Sequence, residues 1–429
     1  MDKKQEIQDE VQLIQDLFDG IDNGDFNNFG ETSDKYTFKY LKAIWDLQTV
    51  LDGGKELYKQ IYEIAIKCGI RHVQQKYKTG RKIKVAFLTI SAAEWPAESV
   101  YRLLKMNENV EAYLVVGPLI DRSVENMEDA FEKTASFFEK RGYDVRRAYD
   151  SKNKKVRLWE EIGKPDIVIH LTHWYKSLPE EYQIENYPFT ILNCYIPYAM
   201  SLADNAKGTF MINSSNNSMF LNMMWHIYTD TMYHYEGYRE YQLLGGENVV
   251  FTGFPKMDFF YNKIENTSDQ LMLMANWKYP TGCDPKNMKK VIIAPHHTFL
   301  GYGGILYSTF QWNMYFWIYL AKKYENQISF IFKPHPNLRT RAIEAEVFRD
   351  AGDYERYIDL WEKLPNARVS AEESYLEIFA TSDGMIMDSN SFLAEYMYVN
   401  KPLLFLTREE QTFNKLGRSI VAVSYTHLR

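Results

Sequence analysis

The feature that most restricts the fold is an alternation that occurs twice. From Arg81 onward, short β-rich runs at 83–90, 112–116 and 167–171 read as buried strands, separated by helical spacing over 97–106, 124–142 and 154–162. A further strand is read over 189–195, whereas 206–237, rich in Asn, Ser, Met and aromatics, shows no clear period. The alternation restarts with runs at 249–251, 291–294, 328–332, 384–387 and 403–406. Strands and helices alternating at these lengths build parallel, doubly wound sheets. The reading is therefore α/β, with two Rossmann-like domains over 81–244 and 245–423 that meet at the Gly245-Gly246 turn. Two such domains facing across a cleft bind ligands at the carboxyl ends of their strands.

What precedes residue 81 reads as a helical extension over 1–80. Two helices within 36–75 are broken at Gly53-Gly54, and the first 34 residues hold ten acids against two bases. The net charge of -7 thus belongs to that segment, and it says little about the main body. Residues 67–84 carry Lys67, Arg71, Lys76, Lys78, Arg81, Lys82 and Lys84 with no acid among them. Such a cluster reads either as a solvated face or as a surface for anionic lipid or a polyanionic acceptor. Cys68, Cys194 and Cys283 form no CxxC pair, which argues against a disulfide framework or a thiolate zinc site. With no apolar leader and no apolar run of about 18 residues, the expectation is a cytoplasmic chain. The final Ser424-Tyr425-Thr426-His427-Leu428-Arg429 resembles translated adapter sequence, so 424–429 reads as a non-native tail.

Four segments carry candidate chemistry. In Met387-Asp388-Ser389-Asn390-Ser391 a buried strand runs into short polar residues that open a helix, a phosphate cradle with Glu395 one turn further on the same face. In Lys333-Pro334-His335-Pro336 two prolines fix a histidine at a strand end, where protonated His335 and Lys333 suit a diphosphate leaving group. Thr252-Gly253-Phe254-Pro255-Lys256 offers a close backbone approach at Gly253 and a cation at Lys256, or a plain interdomain turn. Adjacent His296 and His297 on an extended segment point to opposite sides and make a poor metal pair, and Gly301-Tyr302-Gly303-Gly304 could form a loop over a phosphate. Ser370-Ala371-Glu372-Glu373 fits a capping box for the following helix.

Taken in order, Thr252 to Asp258, Ile293-Ala294-Pro295, Lys333-Pro334-His335-Pro336, and Asp388-Ser389-Asn390-Ser391 with Lys401-Pro402 resemble the CDP-glycerol glycerophosphotransferase family. That family builds teichoic-acid-type polymers on a GT-B fold. The resemblance implies donor binding by Gly253, Lys256, Lys333, His335, Ser389, Asn390, Ser391 and Glu395, and catalysis involving His335 and Asp388. Ser389 and Asn390 replace the family's Tyr and first Ser. The family's Trp-His-Gly motif has no counterpart where Asn193-Cys194-Tyr195 stands, which removes the expected base. His170 and His173, at the end of a first-domain strand, are the candidates left by topology, with packing as their other reading.

The motif from Asp388 to Glu395 is also similar to the donor site of nucleotide-sugar 2-epimerases and GT-B glycosyltransferases. The expectation is a transferase moving glycerophosphate from a CDP-linked donor to an anionic polymer or lipid-linked acceptor, without metal or cofactor and without nucleic acid. The alternatives are a UDP-sugar enzyme and a non-catalytic nucleotide-binding scaffold.

Overall fold

The computed structural model describes residues 3–22, 35–49, 52–205, 208, 211–261, 276–299, 305–370 and 375–426. In chain order the strands are β1 (Ile83–Thr89), β2 (Val110–Val116), β3 (Val145–Arg147), a hairpin of β4 (Tyr149–Asp150) and β5 (Lys155–Val156), β6 (Ile167–His170), β7 (Leu192–Tyr195), β8 (His226–Thr229), β9 (Val249–Phe251), β10 (Lys289–Ala294), β11 (Ile328–Phe332), β12 (Ala367–Val369), β13 (Gly384–Met387) and β14 (Leu403–Phe405). They form one sheet in the order β3-β2-β1-β6-β7-β8-β9 and a second in the order β12-β11-β10-β13-β14. Every pairing in both sheets is parallel.

A parallel sheet is buried on both faces, and β1 shows how the sequence meets that demand. Ile83, Val85 and Phe87 enter one apolar layer, together with Tyr101 and with Met127, Phe131, Ala135 and Phe138 of the helix Val124–Lys140. Ala86 and Leu88 enter the opposite layer, which is filled by Leu41, Ile44, Tyr58, Ile61 and Ala65. These last residues lie on the helices Lys39–Leu47 and Gly54–Lys78. The segment 1–80 is therefore no extension beside a finished domain. It covers one face of the first sheet and belongs to the first compact unit, Met1–Ala199 with Asn216–Lys256. The approach is close at Gly69, where a Cβ would lie 2.5 Å from Leu192 Cδ2 and 3.1 Å from the Phe189 carbonyl oxygen.

The boundary expected at Gly245-Gly246 lies elsewhere as well. The run 249–251 is β9, the edge of the first sheet, in register with Ile227, Tyr228 and Thr229 of β8. The second unit, Met200–Ser215 with Met257–Arg429, instead takes back a piece of chain from within the expected first domain. Backbone polar groups explain the exchange: the carbonyls of Ser201, Leu202 and Asp204 accept from the Asn414 side chain, the Asn414 N–H and the Thr412 hydroxyl. The core of the second unit gathers Ile293, Phe310, Trp317, Phe330 and Phe332, with Phe332 stacked on Trp361 at 5.0 Å.

Helices fall at Glu98–Met106 and Val124–Lys140 as spaced, whereas 154–162 resolves into β5 and the short helix Trp159–Ile162. The segment without a clear period contains β8 and the start of the helix Met232–Tyr241. The expected capping box at 370–373 lies outside the described residues, which omit 371–374; the helix Leu376–Thr381 follows Tyr375, which makes no side-chain cap. The helix Lys415–Thr426 takes in the first three residues of the adapter-like tail, and 427–429 are not described.

One buried ion cluster ties the covering helix to the sheet. Asp166, 2% exposed, receives Lys76 Nζ at 2.6 and 2.7 Å, His72 Nε2 at 3.0 Å and the Lys84 backbone N–H at 2.7 Å. Burial pushes its pKa up, but these donors outweigh burial and hold it below the usual aspartate value. Lys76 of the basic cluster is thus committed to the fold, while Lys78, Arg81 and Lys82 stay exposed. Asp166→Asn should cost about 2 kcal/mol near pH 7. Because the native carboxyl is the stronger acid, the wild-type advantage should be lost as pH falls through the native pKa. Urea unfolding of both chains across the acid range measures this, and coincident curves at neutral pH would contradict it.

Candidate functional site

The second sheet reverses its winding between β10 and β13: the chain runs outward from β10 through β11 to β12, then returns to β13 and β14. Loops leaving the two central strands diverge there, which makes the carboxyl edge a place for ligands. A buried carboxylate straps the divergence. Asp388, with no exposed surface, takes the His296 backbone N–H on one oxygen and, on the other, the Thr309 backbone N–H and the Thr309 hydroxyl, the latter at 2.9 Å. Complete burial pushes its pKa up to about 6 against the pull of those donors. Both Asp388 oxygens hold the β10 loop and the start of the helix Phe310–Lys323, a positioning role.

That strap holds a cluster of three imidazoles. His335 stacks on His297 at 3.9 Å between ring centroids, with His296 at 4.5 Å from His297 and 5.6 Å from His335. The adjacent pair does not splay to opposite sides, because β10 ends at Ala294 and the backbone beyond it is no longer a strand. His296 Nδ1 meets the Thr298 hydroxyl at 2.8 Å, and that oxygen in turn accepts the Tyr307 N–H at 3.0 Å. His297 Nδ1 is buried without a hydrogen-bond partner. Among the described residues, no group of three or more His, Cys, Asp or Glu is arranged to hold a metal ion.

The cluster disfavours charge on its members. Burial, then His297 and Lys333, hold His335 well below the ordinary histidine value, and burial followed by Arg341 brings His297 down to about 4. His335 Nδ1 accepts the Asn337 N–H at 3.0 Å, which leaves the proton of the neutral ring on Nε2. The protonated His335 expected from the sequence is therefore corrected to a neutral ring that still donates.

The helix Asn390–Met397 opens beside this cluster, at the end of β13. Ser389 precedes it without a side-chain cap, and Asn390 Oδ1 accepts the Ser391 N–H at 2.6 Å and the Ser391 hydroxyl at 3.2 Å. Lys333 is buried at the end of β11, and its backbone N–H reaches the Ile293 carbonyl at 2.8 Å. Glu395 is 1% exposed and accepts from the Tyr375 hydroxyl, a partner the sequence reading missed because it comes from a separate segment. Gly301 to Gly304 lie outside the described residues.

The remaining candidates lie in the first unit. His170 is sealed between Tyr187 and Phe220, with Nε2 at 3.1 Å from the Asn193 side-chain oxygen, and burial brings its pKa to about 4. His173 presses on Trp174, meets the Tyr195 hydroxyl at 3.5 Å and is likewise brought to about 4 by burial, a weak proton acceptor. Gly253 takes φ of +82° in the turn after β9. Lys256, in the first unit, donates to the Ala93 carbonyl in the loop after β1 at 3.3 Å.

Two doubly wound parallel units are the parts of a GT-B-like α/β chain. Residues 241–422 match the family model for CDP-Glycerol:Poly(glycerophosphate) glycerophosphotransferase, the family that the motifs in that segment resemble. Over 161 residues the chain is 26% identical to the teichoic acid poly(ribitol-phosphate) polymerase of Bacillus spizizenii, covering 38% of this chain and 22% of that protein. Solved structures with related outlines include the wall teichoic acid polymerase TagF, with TM-score 0.46 and 11% identity over 92% of this chain and 79% of that one. The UDP-GlcNAc 2-epimerase of Neisseria meningitidis has TM-score 0.43 and 16% identity, over 81% and 91% of the two chains.

The strap is testable without a ligand. In Asp388→Asn, whichever oxygen becomes nitrogen faces a backbone N–H, so one donor of His296 or Thr309 loses its partner at a cost of about 1–3 kcal/mol. The wild-type carboxyl keeps its proton to higher pH when folded than when unfolded, so its advantage over Asn should shrink as pH rises toward about 6. Chemical denaturation of the two chains between mildly acid and neutral pH reads both effects. Equal stability throughout would remove the strap from the account.

Proposed function

We propose that this chain is a transferase that moves a glycerophosphate, or a similar phosphoalcohol, from a CDP-linked donor to a hydroxyl of a polymer acceptor. The donor diphosphate would sit at the carboxyl edge of β10, β11 and β13. One observation carries the reading: a neutral His335 with an Nε2–H donor and the start of the helix Asn390–Met397 lie at one switch point, inside the segment that matches the glycerophosphotransferase family.

The chemistry follows from that arrangement. When CMP departs, negative charge grows on the oxygen that bridged the two phosphorus atoms. A donor hydrogen bond from His335 and the helix start stabilise that charge most as it develops. Lys333 adds a cation at the same edge. Glu395, which accepts from the Tyr375 hydroxyl, would accept ribose hydroxyls of a bound donor in this reading. The exposed Lys78, Arg81 and Lys82 are the surface this reading gives to an anionic polymer or lipid-linked acceptor.

A ligand held by the native state raises its stability by about 2.7 kcal/mol at a hundred times its Kd. A thermal-shift titration should therefore show CDP-glycerol stabilising the chain, and CMP should appear when a glycerol-phosphate oligomer is added. His335→Ala should weaken donor binding about tenfold, the loss of one charge-assisted hydrogen bond. A shift selective for UDP-sugars would point to the epimerase or glycosyltransferase reading, and donor binding without CMP release would leave a nucleotide-binding scaffold.

A further inference from the structure

The helix Phe310–Lys323 packs into the core of the second unit with Phe310, Met314, Trp317, Ile318 and Ala321, all of them buried. A helix with one face on a core normally turns charged and polar residues to water on the other. Here the opposite face is aromatic. Trp312, Tyr315, Phe316 and Tyr319 recur at the i, i+3, i+4, i+7 spacing of a single stripe, and they are 62, 62, 52 and 55% exposed. Phe316 and Tyr319 stack at 6.1 Å, and Tyr315 meets Tyr357 of the helix Ala351–Glu362 edge-on at 6.0 Å. The buried face already meets the core's need for apolar cover. Exposed rings gathered in this way mark a surface that another body covers.

The two ends of the stripe differ in charge. Lys322 and Lys323 close the helix, both exposed, and the Lys323 ammonium lies 5.9 Å from the centre of the Tyr319 ring. At the other end the Arg408 guanidinium lies 5.0 Å from the centre of the Trp312 ring. It donates to the Ser308 carbonyl at 3.1 Å and to the two Glu410 oxygens at 3.0 and 3.1 Å. Glu410 balances Arg408, and the exposed Glu409 between them in sequence leaves this corner acidic. A face that is apolar in the middle, basic at one end and acidic at the other complements itself after a half turn. That is the condition for an isologous contact.

We propose that the aromatic face of Phe310–Lys323 is where a second copy of this chain docks, the two helices running antiparallel about a two-fold axis between Tyr315 and Phe316. That register sets Trp312 against the partner's Tyr319 and Tyr315 against the partner's Phe316. It brings Lys323 opposite the partner's Ser308, at the corner that Glu409 makes acidic. Aromatic side chains bury about 150–250 Å² each when fully covered. Four rings more than half exposed therefore supply roughly half of the ~800 Å² that each partner gives to a standard interface, before the charged ends are counted. A bilayer with anionic headgroups fits this face less well. Glu409 and Glu410 bound one end of it, and the helix Ala351–Glu362, which touches the stripe through Tyr357, carries four acids against one base. The contact belongs to the second unit alone and does not depend on the transferase reading.

Sedimentation velocity of the full chain across the micromolar range tests the pairing. The mass should rise with concentration from the 50.6 kDa of one chain toward twice that value. Tyr315→Glu and Phe316→Glu each place a charge at the axis and should weaken the pair about thirtyfold or more, the loss of a central contact. Both side chains are exposed, so the unfolding midpoint of the monomer should stay near that of wild type. Lys323→Glu should weaken the pair about threefold or more, and adding Glu409→Lys to the same chain should recover that loss. A double variant no tighter than Lys323→Glu alone overturns the antiparallel arrangement. A chain that stays monomeric throughout, or a dimer indifferent to both Glu substitutions at the axis, overturns the inference. So does a monomer that floats with phosphatidylglycerol vesicles and ceases to do so as Phe316→Glu, because the face would then belong to a bilayer.

Discussion

Parallel strands impose two requirements that they cannot meet alone: apolar cover for both faces, and partners for the polar groups where strands stop. In the first unit the cover on one face comes from the amino-terminal helices, brought close at Gly69 and fixed by the ion cluster at Asp166. In the second unit the requirement at the strand ends is met by Asp388, after β13, whose two oxygens satisfy backbone donors at the two ends of the connection after β10. Remove that carboxylate and the loops after β10 and β13 lose the contact that sets their separation. The geometry of the histidine cluster depends on it.

Burial then sets the chemistry at both edges. The three clustered imidazoles favour neutral rings chiefly because burial disfavours the charged form, with neighbouring positive groups adding to it. Their native pKa values lie below the unfolded one, so the stability they contribute is present above the ordinary histidine value and is lost as pH falls below it. Glu94, after β1, is displaced in the opposite sense, toward holding its proton, by the same physical cause.

Much of this was legible in the sequence, because periodicity and strand-end motifs are local. β1, β10, β11 and β13 fell where their apolar runs stood, and the residues after β13 opened a helix, though without a side-chain cap from Ser389. What failed depended on distant partners. The run 249–251 gave no sign of which sheet it would join, and β8 was hidden because His226 to Thr229 alternates only weakly in a segment rich in polar residues. The separation of 1–80 from the first domain failed because an apolar helix face does not announce which sheet it covers. Asp388 read as a catalytic group until the backbone donors of His296 and Thr309, far apart in sequence, were seen to fill it.

The central claim is that the donor diphosphate binds where β10, β11 and β13 end. Hydrogen exchange of the full chain with and without CDP-glycerol tests it most directly, since a ligand that binds backbone N–H groups slows exchange at those groups. The account predicts protection concentrated in three stretches, 295–298, 333–338 and 388–393, with the remainder of the second sheet little changed. Protection confined to other segments at saturating donor, or none in those three, would contradict it.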